Sequence, residues 1–434
     1  MATQVHQLSL GPLTAHSFNA DRTKVAVSPN SNVVHIYAQS PTGWTLEHTL
    51  AEHDKLVTGI DWAPQSNRIV TCSQDRNAYV WQLQPDSQTG AQVWKPTLVL
   101  LRLNRAATFV RWSPNEDKFA VASGARIISI CSFEEDNDWW VAKHIKRPLR
   151  STVLSLDWHE NNVLLAAGCA DMKARVFSAY IKGVDAKPPA SVWGERLPFG
   201  TVCGEFSTPS GGWVHGVSFS PSGDVLAFVG HDSSLTVVYP SGPEQPPAAV
   251  HVIRSPTLPY VTLTFVTENQ LIAAGHDCQP VLFQGDAQSG WSIVKSLDAA
   301  GAAASKGAPP PPPPKAPGLS GPSVGRLNNE AFNRFKSADS RGGSSSPAPS
   351  AGGAGGSGSV AGALGAVAGA SVGADGELHT THQNTITSVR PYSGAKANVD
   401  QVSTSGVDGR LCIFAVAQGT PVGGIQKGLS SLQI

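Results

Sequence analysis

The stretch TGIDWAPQSNRIVTCSQDRNAYVW, residues 58–81, decides the fold of this chain. It contains three short runs rich in Val, Ile, Thr and aromatic residues, and polar turn-forming residues separate the runs. Short apolar runs joined by tight turns are typical of a β-meander. The stretch ends at Trp81, and Asp75 stands six residues before that anchor.

The same pattern recurs along the chain. Clear copies are LSLDWHENNVLLAAGCADMKARVF ending at Phe177, HGVSFSPSGDVLAFVGHDSSLTVVY ending at Tyr239, LTFVTENQLIAAGHDCQPVLF ending at Phe283, and SVRPYSGAKANVDQVSTSGVDGRLCIF ending at Phe414. Weaker copies are SFNADRTKVAVSPNSNVVHIY ending at Tyr37 and TFVRWSPNEDKFAVASGARIISIC ending at Cys131. These are WD-type repeats, and seven copies predict an all-β, seven-bladed WD-repeat β-propeller.

The spacing of the copies predicts the domain organisation. The interval from Phe283 to Phe414 is the longest, so we expect an insertion between blades six and seven. We assign residues 1–297 to blades one to six plus a ring-closing N-terminal strand at 5–10, 298–378 to a disordered insertion rich in Pro, Gly, Ser and Ala, 379–417 to blade seven, and 418–434 to a C-terminal tail. The long interval before Tyr239 predicts a surface loop around 187–212.

A recurring aspartate marks the turn between the second and third strands of most copies. These structural-turn candidates are Asp75, Asp171, Asp232, Asp277 and Asp408. A carboxylate in such a turn accepts backbone N–H bonds and a bond from a histidine, for which His53 and His382 are the expected partners. Because His231-Asp232 and His276-Asp277 occupy the same turn in successive copies, we interpret them as structural and not as acid–base or metal motifs.

Composition excludes several functional classes. Lys plus Arg and Asp plus Glu number 32 each, which gives a formal charge of +0 and no electrostatic basis for general nucleic-acid or membrane binding. The six cysteines are widely spaced, so we expect reduced core thiols and no metal or cofactor site. No apolar leader follows Met1, and we expect an intracellular protein.

The insertion carries a proline run, APPPPPPK at residues 308–315. Its end places Pro310, Pro313 and Lys315 in a PxxPxK register, which suits the aromatic groove of an SH3, WW or profilin-like protein. Proline runs are also ordinary stiff spacers, and both readings stay open.

A short amphipathic helix is predicted at about 328–338 in the same insertion. Asn328 is the expected N-cap, and Leu327 can pack on Phe332 as a hydrophobic staple. Ala331, Phe332 and Phe335 then lie near one face. A helix this short is marginal alone, so that face needs cover, either from a partner's groove or from the propeller itself.

Several runs resemble a known family in loops that a generic repeat does not need. They are residues 58–64, 68–81, 104–126, 136–158 and 211–223, and they are similar to the WD-repeat subunit of the actin-related protein 2/3 complex. The resemblance implies a non-catalytic scaffold in the cytoplasmic actin cytoskeleton, which works with the other subunits in nucleating branched actin filaments. It also implies that Leu327, Ala331, Phe332 and Phe335 of the insert helix contact actin or an actin-related protein.

The densest basic run of the chain is a second candidate contact. It comprises Lys143, His144, Lys146, Arg147 and Arg150. The resemblance implies that the complex is activated by nucleation-promoting factors, which carry acidic, Trp-containing tails. The basic run could bind such a tail by charge pairing. A solvated charged loop is the equally weighted alternative. Trp139 and Trp140 alternate on the preceding strand, so one is expected in the core and one at the surface.

Two other classes compete with this interpretation. A free-standing WD-repeat adaptor, such as a ubiquitin-ligase substrate receptor, predicts a separate recruitment domain or coiled coil, for which the sequence before His16 leaves no room. A propeller enzyme predicts a non-repeating cluster of acidic residues or histidines in the central channel, which the sequence does not offer.

Overall fold

The computed structural model describes residues 3–243, 245–298 and 378–416. Within these ranges the chain forms seven four-stranded antiparallel sheets arranged as the blades of a β-propeller, which confirms the predicted fold class. The insertion and its predicted helix lie outside the described residues. In the described part the helical structure consists of one 3-10 turn, Glu135–Asn137, and no helix has the length and hydrophobicity needed to cross a membrane.

Strands follow one another from the channel outward in blades one to six. Blades one to three comprise β2 (Ala15–Phe18), β3 (Lys24–Ser28), β4 (Val34–Ser40), β5 (Gly43–Leu50); β6 (Val57–Trp62), β7 (Ile69–Ser73), β8 (Ala78–Pro85), β9 (Gln92–Val99); and β10 (Ala107–Trp112), β11 (Lys118–Ser123), β12 (Ile128–Glu134), β13 (Trp139–Ile145). Blades four to six comprise β14 (Val153–Trp158), β15 (Leu164–Cys169), β16 (Lys173–Ser178), β17 (Val202–Ser207); β18 (Val214–Phe219), β19 (Leu226–Gly230), β20 (Ser234–Tyr239), β21 (Ala249–Arg254); and β22 (Tyr260–Thr267), β23 (Gln270–Gly275), β24 (Val281–Asp286), β25 (Gly290–Ser296).

Blade seven joins the two ends of the described chain. It comprises β26 (Ile386–Ala395), β27 (Asn398–Gly406), β28 (Arg410–Ala415) and, as its outermost strand, β1 (Gln4–Gln7). Strand β1 pairs antiparallel with β28 in the register Val5↔Cys412. The strand predicted at 5–10 instead spans Gln4–Gln7, and the chain turns away after Gln7. There Leu8 N and Ser9 N donate to Gly409 O at 3.2 and 3.3 Å.

The hydrophobic core lies between the blades. In the described residues, buried apolar side chains form one cluster at each of the seven seams between neighbouring blades. Both faces of each middle strand are therefore covered, which is why β7 and β15 are buried along their whole length. At the seam of blades seven and one, the rings of Phe18 and Tyr392 pack edge to face at 5.0 Å. All six cysteines are buried and unpaired.

The surface loop predicted at 187–212 is confirmed only in its first part, since residues 187–201 form an irregular connection in which most side chains are exposed or half-buried. Residues 202–207 form β17, the outer strand of blade four. The additional residues lie before it, between β16 and β17, and Trp193 within them is 1% exposed and donates through Nε1 to Gly223 O at 2.8 Å. The connection is therefore anchored to the protein by this tryptophan, which fills the seam between blades four and five.

The two ends of the segment 299–377 meet on the propeller. Asp298 is 0% exposed, and its carboxylate accepts hydrogen bonds from Thr381 N at 2.5 Å and from Thr381 Oγ1 at 2.8 Å. Gln383 Oε1 accepts Leu378 N at 3.0 Å, so the returning chain is held as well. These bonds join the end of blade six at Asp298 to the connection that enters blade seven.

Candidate interaction surface

Two sets of loops lie together at one end of the propeller. The turn between the second and third strands of a blade bonds to the connection that enters the same blade. The bonds are Gln74 N to Leu56 O (2.9 Å), Gly124 N to Ala106 O (2.9 Å), Ala170 N to Thr152 O (2.9 Å), His231 N to Trp213 O (2.8 Å), His276 N to Pro259 O (3.2 Å) and Val407 N to Thr385 O (2.9 Å). We call this end the loop face.

In blade two, Asp75 holds the turn of the loop face to the entering connection. Its carboxylate accepts Asp54 N at 3.1 Å and Asn77 N at 2.9 Å, and it lies 2.7 Å from His53 Nδ1. His53 Nε2 lies 2.9 Å from Thr71 Oγ1. Burial lowers the pKa of His53 in spite of the adjacent Asp75. All polar atoms of this group are therefore used within the blade.

Blade seven repeats the arrangement with Asp408. The carboxylate accepts Gln383 N at 2.8 Å and Arg410 N at 3.1 Å, and both of its oxygens lie 3.1 Å from His382 Nδ1. His382 Nε2 lies 2.7 Å from Thr404 Oγ1. Burial opposes ionisation of Asp408, but the hydrogen bond and charge of His382 outweigh it and lower the pKa of the carboxyl.

The three other turn aspartates have different partners. Asp171 pairs with Arg175, whose Nη2 lies 2.9 Å away, so an arginine occupies the place of the histidine. Asp232 accepts Ser210 N at 3.2 Å, and Asp277 accepts Leu258 N at 2.7 Å. The neighbouring histidines turn elsewhere, since His231 Nδ1 lies 2.9 Å from His215 Nε2 and His276 Nδ1 lies 3.1 Å from Thr385 Oγ1.

Replacing Asp408 by alanine should lower the free energy of unfolding by about 1–3 kcal/mol, because Gln383 N and Arg410 N lose their acceptor in a partly buried turn. Urea unfolding of the purified protein measures the effect. Asp224→Ala is the control, since Asp224 is exposed and should change stability by less than about 0.5 kcal/mol. Loss of partner binding at unchanged stability would instead assign the Asp408 carboxylate to recognition.

The basic run named from the sequence lies at and beside the loop face of blade three. Lys143 and His144 belong to β13, whereas Lys146, Arg147 and Arg150 lie on the connection to blade four. His144 is half-buried and its Nε2 lies 2.9 Å from Leu101 O. Lys143 Nζ lies over the Phe199 ring at 4.2 Å. Lys146, Arg147 and Arg150 are exposed.

Four further arginines, which the sequence did not indicate, lie on the same face as this run. Arg76 and Arg126 occupy the strand-connecting turns of blades two and three, and Arg102 and Arg105 lie on the connection between these blades. All four are exposed, and none forms an ion pair with a carboxylate of the described residues. They are scattered in sequence, so only the ring geometry reveals the cluster. We call the set Arg76, Arg102, Arg105, Arg126, Lys146, Arg147 and Arg150 the basic patch.

Two exposed tryptophans lie on blades three and five, and Trp139 is at the end of β13 that is opposite the loop face. Trp139 is 56% exposed at the start of β13, while its neighbour Trp140 is buried against Phe119. Trp213 is 54% exposed on the loop face of blade five, where its ring packs at 5.9 Å on the ring of His231. Exposed, preorganised aromatic rings are frequent anchors at protein interfaces.

No metal centre is visible in the part of the chain that the structure describes: no group of three or more His, Cys, Asp or Glu residues there could hold a metal ion. Burial raises the pKa of the Cys72 thiol to about 12 and of the Cys278 thiol to about 11, so both stay protonated near neutral pH.

Comparison with known proteins agrees with the repeat pattern. A family model described as "WD domain, G-beta repeat" matches residues 44–82 and 143–178. Actin-related protein 2/3 complex subunit 1 of Schizosaccharomyces pombe is 50% identical over 96% of this chain and 100% of the relative. Actin-related protein 2/3 complex subunit 1A-B of Xenopus laevis is 47% identical over 94% of this chain and 95% of its own length. Actin-related protein 2/3 complex subunit 1 of Saccharomyces cerevisiae is 35% identical over 95% of this chain and 97% of the relative.

Proposed function

Because the chain belongs to the family of actin-related protein 2/3 complex subunit 1, we propose that it is a non-catalytic scaffold subunit of such a complex and supports nucleation of branched actin filaments. The observation that carries the proposal is identity of 50% over 96% of this chain and the full length of one relative. The other subunits of the complex are the expected partners, and the cytoplasmic actin cytoskeleton is the expected location.

Co-purification tests this proposal directly. A tagged full-length chain should recover a pair of actin-related proteins and the four other smaller subunits, identified by mass spectrometry. Recovery of a cullin-type ligase or a G-protein set without actin-related proteins would favour the alternative of a free-standing WD-repeat adaptor, such as a ubiquitin-ligase substrate receptor.

The basic patch is the surface that we propose for the acidic tails of nucleation-promoting factors. Its cations project from adjoining blades, and no carboxylate of the described residues neutralises the four arginines added by the structure. Opposite charge across an interface accelerates encounter and adds specificity, and it is screened by salt. Trp213, on the loop face of blade five, offers an apolar contact for the aromatic residue of such a tail.

Reversing two charges of the patch, Lys146→Glu with Arg150→Glu, should weaken binding of an acidic activator peptide by about tenfold at low salt, because each cation becomes a repulsive charge. Fluorescence anisotropy over a salt series measures the affinity. Lys295→Glu reverses an exposed charge on β25, away from the patch, and should leave the affinity unchanged. Equal losses in both variants would show that net charge alone is responsible.

The insert helix is proposed to contact actin or an actin-related protein through Leu327, Ala331, Phe332 and Phe335, residues that lie outside the described ranges. Phe332→Ala with Phe335→Ala should leave assembly of the complex intact and reduce branch formation at least about tenfold, since a buried aromatic anchor commonly contributes 2 kcal/mol or more. Microscopy of branched filaments measures this result. A lower melting temperature with normal branching would indicate that the helix packs on its own propeller.

The proline run is a separate proposal and needs its own variant. Pro310, Pro313 and Lys315 would bind profilin or an SH3 protein through a polyproline helix. Deleting residues 309–314 should then reduce branching only when profilin or the SH3 protein is present. An unchanged response in its presence would identify the run as a spacer.

A further inference from the structure

The central channel of the propeller contains a cavity of about 510 Å³. The innermost strands of all seven blades contribute to its wall. Its charged lining is uneven: the cations are Arg22, Arg111, Arg390 and Lys396, and the carboxylate is Asp157. The volume falls in the range of small-molecule sites, about 300–1,000 Å³.

A repeated bond between blades shows that Arg111 is exceptional. In several blades, the next-to-last residue of the innermost strand accepts a hydrogen bond from a backbone N–H of the following blade. Ser17 Oγ accepts Trp62 N at 2.9 Å, Asp61 Oδ2 accepts Trp112 N at 2.8 Å, and Asp157 Oδ2 accepts Phe219 N at 2.8 Å. Arg111 occupies the same position in blade three, but a guanidinium has no acceptor to offer. Its side chain therefore does not serve this bond.

A second arginine of the channel wall, Arg390, donates hydrogen bonds through both terminal nitrogens, while its Nε is buried without a partner. Its Nη1 donates to Asp61 Oδ1 at 2.5 Å, and its Nη2 donates to Ile60 O at 2.7 Å. The Arg390 side chain therefore reaches from blade seven, past blade one, to blade two. The carboxylate of Asp61 is thereby committed to Arg390 on one oxygen and to Trp112 N on the other.

Arg111 is left without such partners. Its side chain is 21% exposed, and its guanidinium donates no hydrogen bond to any described residue. Nη1 is buried and lies 3.5 Å from Asp61 Oδ1, the oxygen already held by Arg390, and the guanidinium lies 4.8 Å from the Phe109 ring centroid. Burial, followed by the charge of Arg390, lowers the pKa of Arg111 to about 10. A buried guanidinium nitrogen without an acceptor is costly, so Nη1 calls for a ligand.

We propose that the central channel binds a small oxyanion of the phosphate class, with Arg111 as its principal ligand. The planar fork of an arginine matches two oxygens of a phosphate, and such charge-assisted pairs are among the strongest hydrogen bonds. A bound anion would also offset the repulsion between Arg111 and Arg390, whose Nη1 atoms both lie within 3.5 Å of the same Asp61 oxygen. Lys396, at the wall of the same cavity, already pairs with Glu160 at 2.6 Å, and Arg390 has only its Nε without a partner, whereas the Arg111 guanidinium donates no hydrogen bond to any described residue.

Thermal unfolding of the full-length protein in chloride buffers of equal ionic strength tests the site, with pyrophosphate as the probe. At about ten times its Kd, pyrophosphate should raise the Tm by about 2–4 °C, because a ligand specific for the folded state stabilises it by mass action. The shift should disappear in Arg111→Met and persist in Arg102→Met, which removes an exposed cation of the basic patch. ADP is the second probe. A Tm shift with ADP as well as pyrophosphate would indicate that the channel admits a phosphate carried on a nucleoside, and a shift with pyrophosphate alone would indicate a free anion.

A second measurement keeps the proposal open to refutation if Arg111→Met does not fold. A crystal of the wild-type protein soaked in tungstate should place the heavy atom in the channel, within hydrogen-bond reach of the Arg111 guanidinium. Three results would each overturn the assignment. Tungstate could bind elsewhere and leave only water at Arg111, chloride alone could raise the Tm as much as pyrophosphate does, or the pyrophosphate shift could persist in Arg111→Met.

Discussion

Replacing Lys118 by methionine should lower the free energy of unfolding by about 3–5 kcal/mol, the loss expected when one partner of a buried ion pair is removed. Lys118 is 0% exposed, its Nζ contacts Asp185, and it lies 5.5 Å from the centroid of the Trp158 ring. Burial lowers its pKa, which the Asp185 carboxylate partly counteracts. Methionine retains much of the side-chain volume and removes only the charge and its donors.

Loss of Lys118 should also destabilise the connection between β16 and β17 of blade four, which contains Asp185. Asp185 Oδ2 accepts Ile181 N at 2.7 Å and Asp185 Oδ1 accepts Asn162 Nδ2 at 2.9 Å, so this carboxylate ties the connection to its own blade. Without Lys118, the Asp185 charge stays buried and uncompensated.

Urea unfolding measures the loss, and two further variants control it. Lys173→Met breaks an ion pair with Glu205 in which both side chains are about a third exposed, and it should cost less than about 1 kcal/mol. The double variant Lys118→Met with Asp185→Leu should recover part of the stability, because no isolated charge remains. A Lys118→Met protein as stable as the wild type would show that the pair contributes nothing net.

Removing residues 1–7 should lower the Tm by about 10 °C or more and promote self-association. Strand β1 is the outer strand of blade seven, and its loss exposes the edge of β28 along the register from Arg410 to Ile413. It also removes the bond from Gln7 Nε2 to Asp408 O at 2.9 Å. An unpaired strand edge is a template for pairing with another chain, and the ring loses the only ladder that joins its two ends within the described residues.

Calorimetry and light scattering measure these two effects. Val5→Thr is the matched control, since Val5 is 48% exposed and threonine preserves the backbone ladder. A truncated protein that stays monomeric with an unchanged Tm would mean that blade seven is stable with three strands.

The repeat pattern made the propeller predictable because each blade must satisfy the same local requirements. Alternation of buried side chains, turn residues and an aspartate before the third-strand anchor recur with the blade, so five turn aspartates could be identified without coordinates. Their partners were less predictable. Asp171, for example, pairs with Arg175 and not with a histidine, because the neighbouring strand places an arginine at that turn.

Features that join distant parts of the sequence were the ones that the sequence could not reveal. The arginines of the basic patch come from separate turns and become neighbours only through the curvature of the ring. Trp193 lies in a stretch whose polar composition suggests a loop, yet it is buried because the next blade supplies its pocket and Gly223 O accepts its N–H. Burial of this kind leaves no local periodicity to detect.

Asp298 and Thr381 also bear on how this protein can change over evolutionary time. Their hydrogen bonds hold the start and the return of residues 299–377 at one place, where the end of blade six meets the connection that enters blade seven. The distance that this segment must span is therefore fixed by two residues and not by its own length. Insertions and deletions within it leave the bonds of the ring unchanged. Natural selection can rewrite that segment while the seven blades stay as they are.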